Sequence, residues 1–157
     1  MDFSLADVAR ISGAKPRSIQ LWADRGVIDA DPSTEARGSG KHRRFSRDRV
    51  IVACIVAQFA KQGVSIGNLL NIATGVYGFL IRWGKKRHNF FERAAAGTGW
   101  AYLVVHLSGE QVVAFTVVDD ENPKMTFIEA IARGVKDGAD VHAVISLNAA
   151  LARLPPP

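Results

Sequence analysis

Lys15, Arg17, Ser18 and Gln20, and further along Lys41, His42, Arg43, Arg44 and Arg47, are the side chains whose types and spacing could do chemistry. That chemistry is contact with a polyanion. Cations neutralise phosphates, while Arg, Ser and Gln also hydrogen-bond the edges of bases. The first group opens a short segment that begins at Pro16; the second surrounds a single aromatic in Lys41-His42-Arg43-Arg44-Phe45-Ser46. Catalytic constellations are missing from the sequence. It has no Ser-His-Asp ordering, no Gly-rich phosphate loop and no His-x-x-x-His pair, so we expect no enzyme and no cofactor. The lone Cys54 excludes an intrachain disulfide and leaves no cysteine cluster for a metal. His106 and His142 fall on strand-like runs and raise a metal or pH-sensing reading, against which a satisfied or solvent-facing histidine is the plainer one. Asp119-Asp120-Glu121 precedes Pro123 and reads as a charged turn, to which no metal is assigned.

The elements that must carry the cations follow from local signals. Ser4 and Asp7 form a capping box, and Leu5, Val8, Ala9 and Ile11 continue at helical spacing to Gly13. Pro16 presets the start of a second short helix, in which Ile19, Leu21 and Trp22 are apolar and which Gly26 stops. A turn-rich passage from Asp31 to Gly40 leads into the basic hairpin tip, which reads as a wing. Arg47 to Gln62 is a third helix, apolar without interruption from Val50 to Ala57 and therefore buried on more than one side. Ser65 caps a fourth, whose apolar face runs through Leu69, Leu70, Ile72, Ala73 and Val76.

These residues resemble the MerR family of winged-helix transcription regulators over the first half of the chain. The resemblance rests on Gly13 closing the first helix, Trp22 to Ile28 closing the second, Arg43 to Ser46 in the wing, and Gly63-Val64-Ser65-Ile66. Two positions depart from the family pattern: Gln20 stands where Arg is usual, and Trp22 where Tyr is usual. The resemblance implies a sequence-specific regulator that binds promoter DNA as a dimer and distorts it so that RNA polymerase is helped or blocked. Arg17 is the foremost base-reading candidate. Trp22 braces the second helix, offering its indole N–H to a phosphate or its ring to the core. Arg43 and Arg44 alternate in extended chain and point to opposite faces, with Arg43 toward DNA by the resemblance. Arg47 and Arg49 sit at the positive end of the third helix, a cost that DNA phosphate would offset.

The charge is divided as this reading requires. The chain of 157 residues has a net charge of +5, but Met1 to Arg93 holds sixteen Lys or Arg against eight Asp or Glu, and the remainder four against seven. Between Tyr77 and Arg93, cations alternate with aromatics as in an amphipathic connector. A sustained heptad, the family's usual dimer device, is missing there. Tyr102 to Leu107 and Val112 to Val118 are strands of a hairpin. Thr126 and Glu129 form a second capping box ahead of an apolar helical face, Ile128, Ile131, Ala132 and Val135, and Val141 to Ser146 is a third strand before a closing helix.

The expected fold class is thus α+β: a winged helix-turn-helix DNA-binding domain over residues 1–76, a connecting amphipathic helix over 77–97, and a small ββαβα dimerisation or effector domain over 98–157. No apolar run reaches the ~20 residues a membrane span needs, and a cytoplasmic homodimer on double-stranded DNA is expected, its effector open. Two other readings stay open: a DNA-binding accessory protein of a phage or mobile element, of excisionase or small-terminase type, and a protein-interaction adaptor.

Overall fold

The computed structural model describes residues 2–34, 43–83, 89–109 and 111–157. Strand β1 (Phe3–Ser4) leads into helix α1 (Leu5–Ser12). The Ser4 hydroxyl accepts the Asp7 backbone N–H while the Asp7 carboxylate accepts that of Ser4, so two otherwise unpaired amides at the helix start are satisfied reciprocally. Gly13 ends α1 with a φ of 71°, a left-handed conformation that glycine adopts without penalty. Helix α2 (Pro16–Asp24) has no side-chain cap; Pro16 at its first turn has no N–H to satisfy. Ile19 and Trp22 are its buried residues.

A 3₁₀ turn (Pro32–Thr34) and strand β2 (Arg44–Phe45) follow, and β2 pairs antiparallel with β1, setting the buried Phe3 opposite the buried Phe45. Ser46 caps α3 (Arg47–Lys61), in which every residue from Val50 to Ala57 is buried. Such a helix has no solvent face in its middle because α1, α4 and α7 surround it. Helix α4 (Ile66–Trp83) runs on past Val76 without a break, so Tyr77, Phe79 and Leu80, expected to begin a separate connector, continue the fourth helix. Their apolar residues sustain the same face, and neither Gly75 nor Gly78 interrupts the helix. Helix α5 (Phe90–Ala96) is a separate short element capped by Asn89.

Strands β3 (Ala101–Ser108), β4 (Gln111–Asp119) and β5 (Val141–Ser146) form an antiparallel sheet in the order β4-β3-β5. Helix α6 (Phe127–Lys136) lies between β4 and β5 in sequence, and α7 (Leu147–Leu151) follows β5 directly. Alternation along β3 sends Leu103 and Val105 into one core with α3, α4, α5 and α7, and Val104 into a smaller cluster with Val118, Met125 and Ala130 beneath α6. Asn148 on α7 fastens the approach to the sheet: its amide donates to the carbonyls of Ala94 and Gly99 and its oxygen accepts the Ala101 N–H.

One expectation is corrected here. The apolar residues of α6 are not its buried ones: Ala130 and Gly134 face the sheet, whereas Ile128 and Val135 are 80% and 59% exposed. The C-terminal segment is tied in as well, the Pro155 carbonyl accepting a hydrogen bond from Arg47 at 2.6 Å.

Candidate nucleic-acid interface

Helix α2 exposes its polar side. Lys15, Arg17 and Gln20 are exposed, Ser18 is half-buried, and Ile19 on the opposite side is fully buried. The separation follows from 3.6-residue periodicity, which places 19 and 22 on one face and 17 and 20 on the other. Trp22 is only 4% exposed and belongs to the core, the second of the two roles open to it.

At the far end of the basic loop, Arg43 donates to the Asp24 carboxylate at 2.7 Å. The base of the loop is therefore held beside the C-terminal end of α2, and Arg43 is partly spent in doing so. Arg44 projects into solvent, its backbone N–H bonded to the Thr34 hydroxyl and its carbonyl to the Asp31 N–H, while its neighbour Phe45 is fully buried. Alternation thus gives the outward position to Arg44, contrary to the preference for Arg43. Lys41 and His42 lie outside the described residues.

Arg47 is not turned toward a ligand. Its guanidinium grips both Glu92 oxygens, at 2.7 and 2.6 Å, and reaches the Pro155 carbonyl as well. Arg49 is likewise engaged, 2.6 Å from the Asp29 carboxylate and with its guanidinium carbon 3.4 Å above the Tyr77 ring. The two cations at the positive end of α3, for which DNA phosphate was the expected counter-charge, are balanced inside the molecule by Glu92 and Asp29. Asp24, Asp29 and Glu92 were not found by sequence reasoning. No local spacing links Glu92 to Arg47, which only the tertiary fold brings together.

Elsewhere, His106 is buried with its Nδ1 2.9 Å from Nδ1 of His142 and its Nε2 2.9 Å from the Thr116 hydroxyl. One proton must be shared between the facing Nδ1 atoms, so the rings are partners of each other. The Asp119 carboxylate accepts the N–H groups of Glu121 and Asn122, and Asp120 and Glu121 pair with Arg93. These carboxylates close a turn and tie it to α5. A cleft of about 830 Å³ opens between α4, β4 and α6, lined among others by Phe79, Phe90, Phe115, Arg82 and Arg133.

Residues 3–74 match the family model described as MerR HTH family regulatory protein. A MerR-type helix-turn-helix therefore occupies the N-terminal part of the chain, and units of that type belong to DNA-binding regulators. No curated protein matches the chain. No helix among the described residues is long and apolar enough to cross a membrane.

Proposed function

We propose that this protein is a sequence-specific transcription regulator that binds promoter DNA as a dimer in the cytoplasm. Residues 1–76 contact the duplex, and residues 98–157 join two copies. Helix α2 enters the major groove with Arg17 reading a base edge and Gln20 and Lys15 beside it, while Arg44 and the basic loop hold the flanking backbone. The observation that carries this reading is the Arg43–Asp24 ion pair, which fastens the loop to the end of α2 so that both can meet one duplex. Bound dimers would deform the DNA between half-sites and alter its presentation to RNA polymerase.

Recovery of bound genomic DNA followed by titration of the recovered site tests the proposal. Arg17→Ala should cost about 1–3 kcal/mol and relax discrimination at one base pair, whereas Arg44→Ala should weaken all duplexes alike. Recovered sites that cluster at attachment or packaging sequences would point to the mobile-element role instead. No affinity for any duplex at low salt would leave the adaptor reading.

A further inference from the structure

Arg153 belongs by sequence to the acidic half of the chain, where it is one of four Lys or Arg against seven Asp or Glu. Folding removes it from that company. Helix α7 packs against α1 and α3, and the backbone on both sides of Arg153 is pinned. Leu151 and Leu154 are buried in the main core, the Leu154 N–H donates to the Leu151 carbonyl, and the Pro155 carbonyl accepts from Arg47. A side chain on so fixed a stem has its reach set in advance.

That reach ends at the turn between α1 and α2. The point a Cβ on Gly13 would occupy lies 3.4 Å from Nη1 of Arg153 and 3.9 Å from Nζ of Lys61, the last residue of α3. Both cations are exposed, and neither has an ion pair or hydrogen bond among the described residues. They share a hollow of about 230 Å³ that Ser12 and Gln58 also line and that no carboxylate lines. Like charges held this near repel each other. The carbonyl ends of α1, α3 and the short α7 converge here, but each carries at most roughly half a negative charge, so the two cations leave a positive excess facing solvent.

The position of this excess gives it a partner. In a helix-turn-helix the first helix crosses the phosphate backbone while the second enters the groove by its N-terminal residues, so the turn between them lies against phosphates. Lys15 and Arg17, exposed just beyond Gly13, stand on the same passage of chain. We propose that Lys61 and Arg153 form a phosphate clamp at the α1–α2 turn, through which the C-terminal half of the chain takes hold of the DNA backbone beside the groove that α2 reads. The inference rests on the DNA-binding reading above and adds to it a contact from outside the helix-turn-helix unit. An ammonium and a guanidinium on a phosphate carry no base information, so the clamp is blind to sequence and acts by fixing where Arg17 meets the bases.

The test titrates the full chain with the recovered genomic site and with a random-sequence duplex, each between 50 and 200 mM salt. Arg153→Gln should weaken both duplexes about five- to tenfold and make the log–log salt slope shallower by about one per bound copy, and Lys61→Gln added to it should double the change in slope. Circular dichroism should be unchanged in both variants, since both positions are exposed. An unaltered slope in the folded variants would overturn the clamp, as would a loss confined to the recovered site. A fall in thermal stability with the slope kept would show that the cations serve only the helix ends, which also overturns it. Inorganic phosphate supplies the remaining arm: if it stabilises the native chain and not the double variant while duplex affinity is the same in both, the hollow holds a free anion and the DNA assignment fails. Arg17→Ala is scored beside these variants. A native chain that binds both duplexes equally, with the slope still changed by Arg153→Gln, refutes the sequence-specific regulator and leaves the clamp standing; a native chain that binds no duplex refutes both.

Discussion

Arg47 shows how a charge is assigned by its partners and not by its place in the sequence. Its bidentate grip on Glu92 and its bond to Pro155 hold the start of α3 to α5 and to the C-terminal segment. Both side chains are largely out of water, so removing one leaves the other uncompensated. Arg47→Ala should therefore lower unfolding stability by about 1.5–3 kcal/mol in a urea titration, with DNA affinity per folded molecule unchanged; a lost affinity at full stability would return Arg47 to the interface. His106 supports a second expectation. Burial, and then the facing His142, hold its pKa below the ordinary 6.5, with Asp137 acting in the opposite sense. Below pH 6.5 the unfolded chain binds a proton that the folded sheet refuses. Stability should be full above that pH and decline as pH falls below about 6.5, which thermal unfolding at pH 7.5 and 5.5 would detect. Asp7 and Glu129, both held below their ordinary values by hydrogen bonds to Ser4 and Thr126, lose their contributions only at lower pH, so they do not obscure that window.

Among the helices, those with explicit ends were the ones the sequence described well. Ser4, Ser65 and Thr126 accept helix-start amides where the sequence predicted caps, because the bonds they make are local. The end of α4 was misplaced because nothing at Val76 stops a helix; the boundary had been set by a change in composition. Helix α6 carries the sharper lesson. Its capping box and apolar stripe were legible, but the stripe's direction was not, since periodicity says which residues share a face and never which face meets the sheet. Gly134→Ala tests the close seating of α6. Alanine gains about 1 kcal/mol in helix propensity, yet its Cβ would press on a His106 ring fixed by two hydrogen bonds. We expect a net loss of about 1–2 kcal/mol by thermal unfolding; a stabilised variant would show that the helix can lift away.

At the scale of the molecule, the basic and acidic halves share one continuous core, in which Ile11, Phe59, Phe91 and Leu151 are buried together. The N-terminal unit therefore acts with the rest of the chain packed behind it, while Arg17, Gln20 and Arg44 keep an open surface. Binding through that surface should be dominated by phosphate neutralisation. Affinity for duplex DNA should fall about tenfold or more between 50 and 200 mM salt, in a log–log plot of negative slope; an affinity indifferent to salt would rule out the interface.

The sequence by itself determined the order of the elements, the caps that start them, the motif spacing of the N-terminal unit and the uneven division of charge, all of which depend on residues a few positions apart. Tertiary structure alone decided which cations remain free. Arg47 and Arg49 are spent on Glu92, Asp29 and Tyr77, and Arg43 is tied to Asp24, because folding brings together carboxylates and cations that chain distance separates. It also decided that α6 turns its large apolar residues outward, since the close approach of helix to sheet admits only Ala130 and Gly134.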